Sequence, residues 1–228
     1  MRSDNTKIQR GVTMKKLLIF AFTVLSVFFS LGHAVSAQVN LSFETGTNPG
    51  GFNTVFAGQT NITGWSVDFG SVDYIGTYWQ ASQGSRSIDL NGQNQRGQIS
   101  QELATVAGWT YKVTFDMSGN PDGNPVSKFM SVSADKKAAR GYLYAIGSNT
   151  RVDMQWAPNT YHFTAEYPTT LLSFTSLVQG FYGPTLDNVV VTVETQVCHV
   201  ATVKTITVPA SEVAVHLAHG DTPGPCPE

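Results

Sequence analysis

The residues best suited to chemistry lie in one stretch of the chain, between positions 71 and 92. The stretch holds two adjacent aromatic side chains, one guanidinium and two carboxylates, namely Asp73, Tyr78, Trp79, Arg86 and Asp89. A sugar ring has apolar C–H faces and polar edges, so it suits a site where aromatic faces stand beside hydrogen-bonding groups. In such a site Trp79 would stack on the sugar, and the planar fork of Arg86 would bind hydroxyls or a uronate carboxylate.

A later cluster of turn residues, 119–125, adds Asn120 and Asp122 as neighbours of this candidate site. A plainer interpretation stays open, in which Trp79 packs over the end of a sandwich and Asp89 faces solvent or caps a turn. For Trp65, which follows Gly64 in an apolar context, the core is the expected place.

The elements that must position these groups are short runs in which apolar and polar residues alternate. Such runs cover residues 71–75, 87–90, 110–117, 142–144, 172–175 and 189–194, with Gly, Pro, Asn and Asp between them. Period-two alternation indicates strands with one buried face, and the region from 39 to 194 has no sustained helical period. The pattern predicts an all-β fold, an antiparallel β-sandwich of jelly-roll type.

Residues 1–37 have the pattern of a secretory signal peptide. Lys15 and Lys16 precede an apolar run, and the small residues Val35 and Ala37 stand at positions −3 and −1 of a cleavage site before Gln38. Residues 1–13 form an upstream extension, because a start at Met14 already gives a complete signal. The apolar run is too short to favour a membrane anchor, so we expect a secreted or cell-surface protein with no stable membrane insertion.

The residues after Ala37 carry nine basic and fifteen acidic side chains. This acidic balance argues against nucleic acid or an anionic membrane surface as a partner. Both cysteines of the chain, Cys198 and Cys226, lie in the exported part. In an oxidising compartment they are expected to form a disulfide that closes the C-terminal tail.

The composition changes after position 195, so we predict a sandwich over 38–195 and a cysteine-bounded module over 196–228. Within the module, 204–208 reads as a strand and 211–219 as a helix that ends at Gly220. His216, His219 and Asp221 have spacing that suits a transition metal, since residues three apart share a helix face. A polar helix face is the plainer interpretation.

Four segments together resemble a known family. They are Val39–Glu44, Ile62–Trp65, Ser71–Ile75 and Gly183–Val189. In this order they resemble the bacterial branch of the DUF642 group, often called choice-of-anchor C proteins. The resemblance implies a galactose-binding-like fold over residues 39–194, an association with cell-wall polysaccharide through plant relatives, and no enzymatic activity. The run 216–221 is similar to a short C-terminal module of exported bacterial proteins.

The resemblance also implies a structural calcium site. Related carbohydrate-binding sandwiches hold this ion with an early Glu, a late Asp and backbone carbonyls, and the matching positions here are Glu44 and Asp187, on the first and last strands. The alternative is that both are surface acids or bind turn amides.

Three functions remain open on the sequence. The first is a non-catalytic carbohydrate-binding protein that acts on a cell-wall or extracellular-matrix polysaccharide. The second is a hydrolase or lyase that pairs two carboxylates among Asp73, Asp89 and Asp122, although no Gly-x-Ser-x-Gly nucleophile segment occurs. The third is a structural surface or matrix protein that packs against other proteins.

Overall fold

The structure is a computed structural model, and it describes residues 38–226. The predicted signal peptide, residues 1–37, and its upstream extension, residues 1–13, lie outside the described residues. Within the described part, no helix is both long and apolar enough to cross a lipid bilayer.

The described chain is built almost wholly from short strands. In chain order these are β1 (Phe52–Phe56), β2 (Ser66–Phe69), β3 (Ser71–Ile75), β4 (Ser87–Asp89), β5 (Gln98–Ala104), β6 (Thr110–Gly119), β7 (Ser127–Ala134), β8 (Lys137–Ala145), β9 (Ala157–Thr164), β10 (Thr169–Ser176), β11 (Pro184–His199), β12 (Lys204–Pro209) and β13 (Thr222–Pro223). Helix α1 (Ala210–Ala218) lies between β12 and β13.

The strands form two antiparallel sheets that pack against each other. The first has the order β1-β3-β4-β11-β6-β9, with β12 and β13 paired to the far end of β11, and the second has the order β2-β5-β10-β7-β8. The predicted all-β jelly-roll sandwich is confirmed. In the order β1-β3-β4-β11-β6-β9, only β3 and β4 are consecutive strands of the chain. Most strand pairs in this order therefore join segments that are far apart in sequence.

The core lies between the sheets and is filled by the alternating residues that the sequence pattern marks. On β6, four such side chains are at most 1% exposed, namely Tyr111, Val113, Phe115 and Met117. Full burial of each contributes about 1.5–3 kcal/mol, the range typical of a large apolar side chain. Trp65 is 4% exposed and packs against Phe43 and Phe174, which confirms its predicted place in the core.

The hairpin of β3 and β4 determines where the candidate site lies. Alternation along β3 directs Val72 and Tyr74 into the core, so Asp73 and Ile75 face the opposite side of the sheet. Thr54 of β1 pairs with Asp73, and the two strands together form the floor of a surface cavity. The loops that leave β6 and enter β11 meet beside this floor, because Gly119 pairs with Pro184.

The C-terminal tail continues the last strand of the sandwich. β11 runs through the predicted boundary at 195/196 without a break, and its residues from Glu194 to His199 pair with β12. β12 and α1 confirm the predicted strand and helix to within one residue at each end, and Gly220 follows with φ +91°. The disulfide Cys198–Cys226 is present, with a Cα–Cα distance of 4.6 Å.

Candidate functional site

Tyr78 is the aromatic residue that the loop after β3 presents to the cavity. Its hydroxyl donates to Asp122 Oδ2 at 2.9 Å, and the guanidinium of Arg151 lies 4.1 Å from its ring centroid. Arg151 Nε also donates to Asp122 Oδ1 at 2.8 Å. Burial raises the pKa of Tyr78, and the bond to Asp122 adds to that rise. The three side chains therefore form one wall, which joins the loop after β3 to the loop after β6.

Trp79 lies beneath this wall and does not present a ring face to solvent. The side chain is 5% exposed, packs with Ile75 and Met154, and donates from Nε1 to Ser87 Oγ at 2.8 Å. The predicted stacking of a sugar on the indole is therefore wrong. The plainer interpretation, in which Trp79 packs over the sandwich, is the one that the structure supports.

Arg86 points away from the cavity, which corrects its predicted role. It precedes β4 by one residue, so period-two alternation places it with Ile88 on the core side and leaves Ser87 and Asp89 on the cavity side. Its Nη1 donates to the hydroxyl of Tyr74 at 2.5 Å, and its guanidinium lies 5.3 Å from the Tyr74 ring centroid.

Asp89 cannot contact a ligand in the cavity, because its side chain is fully buried. Its oxygens accept from Asn120 Nδ2 at 2.7 Å and from the backbone N–H groups of Asn91 and Gly183 at 2.9 and 3.1 Å. A Cβ at Gly183 would stand 2.4 Å from Asp89 Oδ1, so only glycine permits this approach. Desolvation raises the pKa of Asp89 well above its usual value. Asp89 and Asn120 therefore connect two cavity loops, and Asp89 has no exposed surface with which to bind a ligand.

Lys128 is a residue of this region that the sequence analysis missed. It is fully buried, and its Nζ donates to the carbonyls of Gly123 at 2.8 Å and Tyr182 at 2.7 Å. Desolvation lowers its pKa to about 8, and the charge of Asp89 opposes that shift. The sequence pattern could have shown that Lys128 is buried, because on β7 it alternates with outward-facing residues in the same way as Met130 and Val132, whose side chains face inward.

The cavity itself has a volume of about 380 Å³ and opens on the outer face of β1 and β3. It brings together the predicted residues Asp73, Tyr78, an edge of Trp79, Asn120 and Asp122, and excludes Arg86 and Asp89. The remaining lining residues are ones that the sequence analysis did not single out, namely Phe52, Thr54, Ile75, Gly92, Gln93, Phe181 and Tyr182.

Two phenyl rings and one carboxylate give the cavity its chemistry. Phe52 is 47% exposed and Phe181 is 50% exposed, so both offer apolar surface at the mouth. Asp73 Oδ1 accepts from Thr54 Oγ1 at 2.6 Å, and burial raises the pKa of Asp73 while this hydrogen bond lowers it. Apolar surface beside a half-buried oxygen acceptor suits a small ligand that has both C–H and O–H groups.

A larger hollow of about 800 Å³ lies at the other sheet, along β2 and β5. Its lining includes Gln38, where the described chain begins, and its aromatic residue, Trp65, is buried in the core. The smaller cavity has the exposed rings, so we take it as the candidate site.

Glu44 and Asp187 converge on one turn, residues 82–86, but not as strand neighbours. Glu44 precedes β1 and lies on no strand, which corrects its predicted placement, while Asp187 lies on β11 beside β4 and β6. Glu44 accepts from the backbone N–H groups of Ser85 and Arg86, both at 2.9 Å. Asp187 Oδ2 accepts from those of Ser82 and Gln83 at 2.7 and 2.9 Å.

These contacts bear on the predicted calcium. Burial raises the pKa of Asp187 to about 7, partly offset by its N–H donors, and the charge of Glu44 raises it further. Calcium takes six to eight oxygen ligands, whereas the turn at 82–86 offers N–H groups to both carboxylates. These contacts fit hydrogen bonding and argue against the calcium predicted at Glu44 and Asp187, and calcium addition tests it directly.

In the C-terminal tail, the three potential metal ligands that lie close together are not the three that the helix spacing suggested. His216 and Asp221 are in contact, but His219 is exposed at the end of α1, and the third member is His199 from β11. The pairing of β11 with β12 and β13 brings His199 to this place, and sequence spacing alone does not show it.

Comparison with known proteins gives a family. The family model described as "Protein of unknown function (DUF642)" matches residues 37–192. Halomucin of Haloquadratum walsbyi (strain DSM 16790 / HBSQ001) is 33% identical over 189 residues, a match that covers 75% of this chain. The chain spans 2% of the length of that relative.

Several solved structures match the chain at low sequence identity and with TM-scores below 0.5. A TmCBM61 structure in complex with β-1,4-galactotriose has 17% identity and a TM-score of 0.42, and the match covers 67% of this chain and 94% of that one. A family 35 carbohydrate-binding module from Clostridium thermocellum has 15% identity, a TM-score of 0.42, and coverage of 61% and 97%. The CBM22-1 xylan-binding domain from Paenibacillus barcinonensis has 18% identity, a TM-score of 0.40, and coverage of 62% and 92%.

Proposed function

This chain belongs to the DUF642 family, and we propose that it is an exported, non-catalytic carbohydrate-binding protein that acts on a cell-wall or extracellular-matrix polysaccharide. The binding site is the cavity on the outer face of β1 and β3. Export is supported by the signal-like sequence of residues 1–37 and by the disulfide Cys198–Cys226, a bond typical of oxidising compartments.

One observation carries the proposal: Phe52 and Phe181 expose apolar rings at the mouth of a cavity whose floor holds the Asp73 carboxylate. A sugar binds such a site by stacking its C–H face on a ring while neighbouring hydroxyls donate to the carboxylate. Gln93, which is exposed at the rim, adds an amide that both donates and accepts.

The charge of the lining favours a neutral sugar over a uronate. Among the described residues that line the cavity there are two carboxylates, Asp73 and Asp122, and no basic side chain. Arg151 is bound to Asp122, and Arg86 lies on the other side of the sheet. A uronate would place a second negative charge beside Asp73, and the nearby cation, Arg151, is already paired with Asp122.

The carboxylates are poorly placed for hydrolysis. Asp89 has no exposed surface and is held by Asn120, and Asp122 is held by Tyr78 and Arg151. A glycosidase needs two carboxyl groups that face one bond across a cleft. Asp73 is the one lining carboxylate with an oxygen left for a ligand, which supports binding without catalysis.

A polysaccharide screen with matched variants tests the proposal. The chain from residue 38 onward is assayed against neutral polysaccharides and against polygalacturonate, with Phe181→Ala and Asp73→Asn as site variants. Phe129→Ala is the control, because Phe129 is 43% exposed on β7 of the other sheet. We expect binding to a neutral polysaccharide that each site variant weakens about tenfold or more, equivalent to about 1.4 kcal/mol.

Two results would replace the proposal. Failure to bind any polysaccharide would favour the structural role, in which the sandwich packs against other proteins. Release of reducing sugar by the parent chain, abolished in Asp73→Asn, would show that the protein is a hydrolase.

A further inference from the structure

Three side chains with metal-binding atoms meet in the C-terminal tail, and none of them lines the cavity. His199 ends β11, His216 lies on α1, and Asp221 follows α1. His199 Nδ1 lies 3.0 Å from Asp221 Oδ2, and His216 Nδ1 lies 2.9 Å from the same oxygen. The three potential ligand atoms all lie within 4.8 Å of one another, and this is the one such group of three among residues 38–226.

The tail holds this cluster in place through backbone contacts that do not depend on a ligand. Asp221 Oδ1 accepts from the N–H of Val200 at 3.0 Å, and the N–H of Asp221 donates to the carbonyl of His216 at 3.2 Å. The disulfide fixes Cys198, the residue before His199. A site whose ligands are positioned by strand pairing, a helix end and a cross-link loses little conformational freedom when it binds.

Two of the three distances between potential ligand atoms are close to those of a tetrahedral metal site, and the third pair, between His199 and His216, lies within 4.8 Å. Metal–ligand distances of about 2.0–2.1 Å place tetrahedral ligand atoms about 3.3 Å apart. The two His–Asp separations, 3.0 and 2.9 Å, need only a small expansion to admit an ion. The Asp221 side chain is 3% exposed, whereas those of His199 and His216 are 38% and 23% exposed, so a path to solvent remains on the imidazole side.

We propose that His199, His216 and Asp221 bind one divalent transition-metal ion of the Zn²⁺ class, with a water molecule in the fourth position. Two imidazole nitrogens and one carboxylate match the ligands that zinc takes, whereas calcium and magnesium prefer sites made of oxygen atoms alone. The site is separate from the carbohydrate cavity, and neither proposal depends on the other.

The competing account is that the cluster is only a hydrogen-bonded triad in which two histidines share one carboxylate. Such a triad stabilises the tail but has no specific affinity for zinc. Both accounts predict that Asp221→Asn weakens the tail, because Asp221 Oδ2 contacts both His199 and His216. The histidine variants separate them.

Zinc titration of the chain from residue 38 to 228, without a polyhistidine tag and with the disulfide intact, is the direct test. The metal is first removed with a chelator, and Zn²⁺ is then added in competition with a chromophoric chelator. We expect one zinc per chain, with affinity lowered more than about tenfold in His199→Gln and in His216→Gln. His219→Gln is the matched control, since His219 is exposed outside the cluster, and it should bind as the parent does.

A second measurement guards against variants that fail to fold. Thermal melting in EDTA establishes that each variant is folded, and the melt is repeated with excess Zn²⁺. Zinc should raise the melting temperature of the parent and of His219→Gln by the same amount, and that of His199→Gln by clearly less. Equal zinc binding by the parent and the His199→Gln, His216→Gln double variant overturns the proposal, as does a parent melt that zinc does not shift.

Discussion

Asp73 and Asp89 face each other directly across the ladder of β3 and β4, yet only Asp73 reaches the cavity. Asp89 is covered by Asn120 and by the loop that enters β11, and it binds both. One carboxylate therefore serves as a potential ligand contact, and its partner holds the loops that surround that contact. This division of roles underlies the binding-only function proposed above.

Lys128→Met is predicted to destabilise the sandwich and loosen the cavity. The change removes the donor to the carbonyls of Gly123 and Tyr182 and the buried cation near Asp89. Each part-buried carbonyl that loses its donor costs about 1–3 kcal/mol. Chemical denaturation measures the loss. Lys112→Met, at a half-exposed lysine 3.9 Å from Glu194, should change stability by less than about 1 kcal/mol. Equal effects of the two variants would contradict the role of Lys128.

The fold class followed from the sequence because alternation alone determines which side of a strand is buried. Residues 110–117 show this directly, since every second side chain from Tyr111 to Met117 is buried as predicted. Lys128 obeys the same alternation, but a lysine in phase with Met130 is easily taken for an exposed residue. Its two carbonyl partners come from distant loops, so only the folded structure shows how the charge is accommodated.

The site was harder to predict because it depends on where loop side chains point. Arg86 and Trp79 lie in the predicted loop, but alternation directs Arg86 towards the core side, and packing on Ile75 and Met154 buries Trp79. Phe52 and Phe181 are far apart in sequence and meet only through the β1–β3 pairing and the loop before β11. His199 was missed for a similar reason, since strand pairing brings it to the end of α1.

The stability of the protein is predicted to fall as the pH rises from about 4 to about 7. The pKa of Asp187 is raised in the folded state to about 7, so between its usual value and 7 the folded chain binds more protons than the unfolded chain. The stabilisation is present at the acidic end of this window and is lost as Asp187 ionises. Urea unfolding in EDTA at pH 5 and pH 8 should show this loss, and Asp187→Asn should reduce it. A parent that is more stable at pH 8, with Asp187→Asn unchanged, would contradict the assignment.

The same residue provides a test of the predicted calcium. If Glu44 and Asp187 bind the ion, excess Ca²⁺ should raise the melting temperature at pH 8, where Asp187 is ionised, and Glu44→Gln should abolish the rise. The N–H donors on both carboxylates lead us to expect no calcium-dependent shift. A shift in the parent that Glu44→Gln removes would establish the site and require the turn 82–86 to rearrange.

Loss of the disulfide is predicted to affect the tail and spare the sandwich. Cys198 and Cys226 are separated by 28 residues, and a loop of this length is worth about 3.5 kcal/mol in the chain-entropy description. In the Cys198→Ser, Cys226→Ser double variant, amide hydrogen exchange should accelerate in β12 and α1 and stay slow in β6. Fast exchange throughout β6 would show that the tail and the sandwich unfold together.

The central claim, that the cavity on β1 and β3 binds a carbohydrate, is tested most directly by amide chemical-shift mapping with an oligosaccharide taken from the screen. We predict saturable shifts that cluster at Phe52, Asp73, Gln93 and Phe181 and that disappear in Phe181→Ala. Shifts confined to the outer face of β7 and β8, around Phe129 and Leu143, or shifts that persist unchanged in Phe181→Ala, would contradict it.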